Sequence, residues 1–135
     1  MIIDDDVLEL LLEQSGPTIN QAATLDALLL LRDPFRVAGI PEWFSTDPDR
    51  NTRVMFFVRG LQLNPGELPA AVTVTLSSVN NELFEVPAED VRPVRDVDFA
   101  QVVIRLPDNL PASVYTVIVR AHFKTSSSGR IRIAP

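Results

Sequence analysis

The stretch YTVIVRAHFKTSSSGRIRI, residues 115–133, carries the decision on the fold. Tyr115, Val117, Val119, Ala121 and Phe123 alternate with Thr116, Ile118, Arg120, His122 and Lys124. Ile131 and Ile133 alternate in the same way with Arg130 and Arg132. A period of two, rich in β-branched residues, belongs to a pleated and half-buried strand rather than to a helix. The polar run Ser126–Gly129 separates the two alternations. The spacing therefore predicts two strands closed into an antiparallel hairpin, with Phe123 on the inner phase and His122 on the outer one.

Upstream the same pattern recurs. Val102, Ile104 and Leu106, then Val72, Val74 and Leu76, then Val54, Phe56 and Val58 each alternate with other residues, and a shorter piece runs over Leu83–Val86. The breaks between them have mechanisms. Asn64-Pro65-Gly66 supplies a fixed φ followed by a positive one, and Asn80-Asn81 tolerates the left-handed region. Pro107 and Pro111 bracket Asp108-Asn109, and neither proline fits a central strand. The reading is six or seven strands over about residues 31–134, an all-β antiparallel sandwich with one core between two sheets. Its predicted core is Val54, Phe56, Val72, Val74, Val102, Ile104, Tyr115, Val117, Val119 and Ile131.

Before Asp33 the chain changes character, becoming Leu- and Ala-rich. Residues 1–24 read as an N-terminal apolar segment and 25–135 as the sandwich. Asp4–Asp6 ahead of Val7, Leu8, Leu10, Leu11 and Leu12 suit a short helix over 6–14. The alternation of Leu8, Leu10 and Leu12 with Glu9, Leu11 and Glu13 leaves a strand as the alternative, and 6–14 is read as helix. Residues 25–37 read as the first strand of the sandwich. Met55, Phe57 and Val103 fall on outward phases of neighbouring strands and form an apolar outer patch. The segment carrying Leu8, Leu10 and Leu12 is a strip of suitable size to cover it.

Composition bounds the function. The chain has 135 residues and 15.0 kDa, the size of one domain. It is 46% hydrophobic and 22% charged, enough apolar content for a packed core. A net charge of −6 with twelve scattered basic residues argues against a nucleic-acid partner, which needs a concentrated positive face. With no cysteine, thiolate chemistry and disulfides are excluded. The longest unbroken apolar run, Ala27–Leu31, is far short of the roughly 20 residues of a membrane span, so no membrane insertion is expected. The start Met1-Ile2-Ile3-Asp4 does not read as a secretory signal.

The runs VVIRLPDNLP (Val102–Pro111) and YTVIVRAHFKTSSSGRIRI (Tyr115–Ile133) resemble the closing strands of bacterial immunoglobulin-like modules of the IPT/TIG type. LRDPFRV (Leu31–Val37), DRNTRVMFFVRGLQL (Asp49–Leu63) and VPAEDVRPV (Val86–Val94) look like the same group, so the resemblance covers about residues 25–133. It implies an immunoglobulin-like β-sandwich of about seven strands, preceded by a short helical or extended segment. It further implies a non-catalytic module, secreted or at the cell surface, with a structural, spacer or adhesive role. Other protein modules or like subunits are the implied partners. Tyr115 opens the penultimate strand just past a proline corner, where such sandwiches turn the phenol back onto a backbone carbonyl. A core tyrosine with a wet tip is the plainer alternative.

Chemistry-bearing residues point the same way. Asp47, Asp49 and Asn51 match three ligand positions of a calcium loop, but Thr52 and Val58 stand where that loop needs glycine and a carboxylate. An Asx-rich turn is the simpler reading, and no metal or cofactor is expected. Asp96, Asp98, Glu89 and Asp90 read as solvated loop acids. His122 has neither a nucleophile elbow nor an orienting carboxylate in its sequence context, and Ser126–Ser128 read as a flexible turn, so an enzyme is not expected. Trp43, with Phe44 and Phe35, reads as a plug at one end of the sandwich or as a sugar-stacking loop for surface glycans. Three functions thus stand: a structural or adhesive module, a filament subunit built by strand addition from the N-terminal segment, or a carbohydrate-binding module. Leu8, Leu10, Leu12, Met55, Phe57, Val103 and Trp43 are the candidate interaction residues.

Overall fold

A computed structural model describes residues 8–12, 21–26, 35–40 and 49–134. Its strands are β1 (Glu9–Leu10), β2 (Thr24–Asp26), β3 (Phe35–Arg36), β4 (Arg53–Arg59), β5 (Thr73–Ser78) and β6 (Leu83–Pro87), followed by β7 (Asp90–Pro93), β8 (Phe99–Arg105), β9 (Ser113–Ala121), β10 (Lys124–Thr125) and β11 (Gly129–Ala134). One sheet runs β1-β4-β8-β7, with β2 also on β4, and the other runs β3-β11-β9-β5-β6, with β10 also on β9. β4 to β5 and β8 to β9 cross between the sheets, whereas β5–β6 and β7–β8 pair within one. This is an all-β sandwich with an immunoglobulin-like strand order, and among the described strands every pair is antiparallel except β3 on β11.

The inner phases meet as the alternations required. All ten residues of the predicted core are fully buried, Val54, Phe56, Val102 and Ile104 from one sheet facing Val74, Tyr115, Val117, Val119 and Ile131 from the other. Met55 pairs with Val103 across β4 and β8, and Phe57 with Gln101, all on the outer phase and half-buried. The turns follow their residues. Gly66 has φ +80° and the Glu67 N–H donates to the Asn64 carbonyl at 2.9 Å, closing the Asn64-Pro65-Gly66-Glu67 turn. Asn81 takes φ +63° between β5 and β6. Tyr115 makes the corner: its Oη donates to the Pro111 carbonyl at 2.6 Å, and burial raises its pKa.

Four expectations are corrected. The described part of the proposed 6–14 helix is extended: β1 pairs with β4 at Glu9↔Arg59 and Leu10↔Val58. An edge strand with every second residue buried satisfies Leu8 and Leu10 where a helix would leave one of its apolar sides outside. The single strand over 25–37 is instead two pieces in different sheets, β2 on β4 and β3 on β11, with 27–34 outside the described residues. The long strand of the opening stretch ends at Ala121, because the chain reverses at His122-Phe123 and Lys124 pairs back on Ala121. The run Ser126–Ser128 is then a bulge along the β9 edge and no flexible turn. The Ser126 Oγ accepts from the Val119 N–H at 2.9 Å and donates to the Ser127 carbonyl at 2.8 Å. The pairing of β11 with β9 is antiparallel as expected, Ile131 opposite Tyr115.

Candidate functional site

Strand directions give the molecule two poles. β4 ends where β8 begins, with Arg59 opposite Phe99, and Glu67 meets His122 across the gap between the sheets. The β4–β5 connection, the β7–β8 turn and the β9–β10 turn therefore gather at one pole, which also receives β1. The other pole holds the start of β4, the end of β8, the Pro107–Pro111 corner and the end of β11.

The loop pole is apolar at its tips. Leu68, Val97 and Phe123 stand exposed there, Phe123 completely. Phe123 sits in a two-residue hairpin turn with His122, and both have positive φ, 63° and 53°. That turn is usually made by Asn or Gly, because a side chain in the left-handed region costs roughly 1–2 kcal/mol. The turn is anchored rather than loose: His122 Nε2 lies 2.6 Å from Glu67 Oε1. The same Glu67 oxygen accepts the Asn64 N–H at 2.9 Å, and these two contacts, the Asn64 N–H first, hold its carboxyl below the usual range. Beside the turn, a cleft of about 350 Å³ opens between Gly60–Leu63 and Val97–Ala100, its wall formed by Phe99 with the Arg59 guanidinium 4.8 Å above its ring.

The opposite pole carries exposed Val79 and Leu83 at the β5–β6 turn and, around the start of β4 and the end of β8, a charged network. Asp49 accepts from Arg53 Nη2 at 3.0 Å and from Arg105 Nε at 2.9 Å, and its Oδ1 accepts the Asn51 N–H at 3.1 Å. Those contacts, Arg53 first, depress its carboxyl well below the ordinary carboxylate range. Arg53 also donates to Glu89 at 2.8 Å, and Asp108 accepts from Arg105 and from Asn51, each at 2.8 Å. Asp49 thus closes an Asx turn and pairs with two arginines; Asp47 lies outside the described residues. Among the described residues no group of three or more acids and histidines is placed to hold a metal ion. No described helix is long and apolar enough to cross a membrane. Beside the network, Arg36, Val37, Ala38, Asp108, Leu110, Ala112 and Ala134 line an open cleft of about 310 Å³.

The candidate interaction residues distribute differently from the sequence reading. Leu8 and Leu10 are buried in the core and do not lie across Met55, Phe57 and Val103. The segment joins the sheet edge-on within its own chain. The Leu11 N–H donates to the Phe57 carbonyl at 2.9 Å, the Leu10 N–H donates to Ser127 Oγ at 3.1 Å, and Leu8 bridges to Ser126. It therefore closes the gap between β4 and the bulge after β10, and Leu12 bridges to Ala22. Trp43 lies outside the described residues, while Phe35 is buried. The feature that sequence reading missed is the exposed Phe123. No glycine or asparagine announces its turn, and only the two-residue reversal in the pairing of β9 with β10 reveals it. Compared with known protein families, characterised proteins and solved structures, the chain matches none.

Proposed function

We propose that the chain is a non-catalytic immunoglobulin-like module with a structural, spacer or adhesive role, secreted or at the cell surface, whose partners are other protein modules or like subunits. The observation that carries this reading is the two-pole geometry. β1 enters at the loop pole and β11 leaves at the opposite one, so successive modules of this kind string end to end with the sandwich as a rigid link. The resemblance of Val102–Ile133 to IPT/TIG-type modules supports the same role. The polar groups with catalytic potential are engaged in structure: His122 Nε2 with Glu67, Ser126 Oγ with backbone. The Glu67 carboxylate on His122 is an orienting partner that the sequence context did not offer, but the Ser126 hydroxyl is engaged with the Val119 N–H and the Ser127 carbonyl and not with His122.

The test is labelling of intact cells that produce the protein, using a membrane-impermeant amine reagent and an antibody against the chain. Labelled chain on whole cells, or chain in the medium, is the expected result. Chain labelled only after lysis overturns the assignment.

A further inference from the structure

We infer that the outer face of the sheet β3-β11-β9-β5-β6 binds a linear anionic polysaccharide along a stripe of arginines. The inference rests on the structural-module reading and names a ligand for its adhesive role.

Basic residues that lie scattered in the sequence gather on this face. Tyr115, Val117 and Val119 point into the core, so Thr116, Ile118 and Arg120 of β9 point outward. Arg130 lies opposite Thr116 and Arg132 opposite Val114, which puts both arginines on the same outer face. Arg36 lies beyond them on β3, beside Ala134. The stripe therefore crosses β3, β11 and β9 diagonally. At roughly 3.3 Å of rise per residue, Arg36, Arg132 and Arg130 step by about 7 Å, and Arg120 follows after about 13 Å. Its charge is available. Arg36, Arg120 and Arg130 are exposed, and among the described residues none of the three is in an ion pair. Glu85 is the one acid at a described outward position of this sheet, and it stands on β6, beyond β5.

Three properties select the occupant. The first is sign and extent: an extended polyanion meets several guanidiniums at once, each able to grip an oxyanion with two parallel hydrogen bonds. The net charge of −6 is carried elsewhere and is screened over about 8 Å at physiological salt, so the local sign governs. The second is hydroxyl chemistry. Thr116 lies between Arg130 and Ser77, and Thr73 lies beside Arg120. Hydroxyls both donate and accept, as the hydroxyls of a sugar ring require. The third is the single ring at the end of the stripe. Phe123 lines the same depression as Arg120 and is wholly exposed, so a sugar face can lie against it. A single-stranded nucleic acid instead needs rings for successive bases, and the described outward positions of this sheet hold none.

The experiment measures binding of the full 135-residue chain to immobilised polygalacturonate and dextran sulfate at about 50 mM salt. The chain should bind, and the tighter polymer tells whether carboxylate or sulfate is the preferred group. Arg120→Glu with Arg130→Glu should weaken binding by about tenfold, the effect of losing two exposed charge contacts. Arg92→Glu with Arg95→Glu makes the same change in net charge at exposed positions outside this sheet and should stay within about twofold of the parent. Circular dichroism and melting temperature check that each variant folds. Should the first pair fail to fold, Arg120→Gln and Arg130→Gln read the contact singly, each with a loss of about threefold. No binding to either polymer overturns the inference. So does a loss that the control pair matches, or one that the Arg120 and Arg130 variants do not show. Tighter binding to a double-stranded DNA oligonucleotide, or to phosphatidylserine–phosphatidylcholine vesicles, than to both polymers overturns it as well. All of these results come from purified chain and leave the surface-labelling outcome untouched, so failure here is distinct from failure of the structural-module reading.

Discussion

At the scale of single residues, the informative pair is Tyr115 and Phe123, nine positions of strand pattern that divide into one legible residue and one illegible one. Tyr115 was readable because its position after Leu110-Pro111 has a mechanism: a buried phenol must find an acceptor, and the corner carbonyl of Pro111 supplies it. Tyr115→Phe removes that hydrogen bond alone and should lower stability by about 1 kcal/mol in urea denaturation. An unchanged midpoint would mean that the corner contributes nothing. Phe123 was unreadable because it keeps the inward phase of the alternation while the chain has already turned. Its backbone at φ 63° is unfavourable for a branched-off side chain, and its ring is in water, so little packing is lost on its removal. Phe123→Gly should leave stability unchanged or raise it by up to about 1 kcal/mol, relief of the left-handed strain being partly offset by unfolded-chain entropy. A loss of more than about 0.5 kcal/mol by thermal melting, beyond the range for exposed substitutions, would show that Phe123 packs within its own chain.

The N-terminal strand makes the case at the scale of elements. Three leucines at alternate positions, next to a fourth, satisfy a helix face and a strand face together, and period alone does not choose between them. Tertiary context chooses. The groove between β4 and the serine bulge accepts one extended strand whose Leu8 and Leu10 complete the core and whose N–H groups reach Phe57 and Ser127. Gly129 makes room for it: a Cβ there would come within 2.8 Å of Leu10 and 2.9 Å of Leu12. Leu10→Ala should therefore destabilise the whole sandwich by about 2–5 kcal/mol, the range for a buried leucine, although it lies ahead of residue 25. A loss below about 0.5 kcal/mol in denaturant titration would mean that the segment is an ornament on an independent domain. β4, β8, β9 and β11 were legible because each has one phase buried and one outside, whereas β7 and β10 bury none of their residues and Asp90, read as a loop acid, opens β7. β2 and β3 are only three and two residues long, too short to show a period of their own.

At the scale of the whole molecule, the poles differ in what holds them. Opposite the loops, Asp49 and Asp108 are held below ordinary carboxylate values, Asp49 by Arg53 and then Arg105, Asp108 by Arg105 and then Asn51. Carboxylates with depressed folded values bind protons more readily in the unfolded chain. Their stabilisation is thus complete above the unfolded value near 4 and is lost as pH falls through the folded values. Asp49→Asn should lower stability at pH 7 and flatten the loss between pH 5 and pH 2 in urea titrations; an unaltered acid limb would remove Asp49 from the account. The sequence pattern showed these acids only as loop residues, because the arginines that hold Asp49 arrive from β4 and β8, and Arg105 is 56 positions away.

The assignment to the cell exterior is the claim on which the account rests, and antibody staining of intact producing cells reads it most directly. The account predicts staining of unpermeabilised cells, or chain in the medium. Staining that appears only after permeabilisation would contradict it.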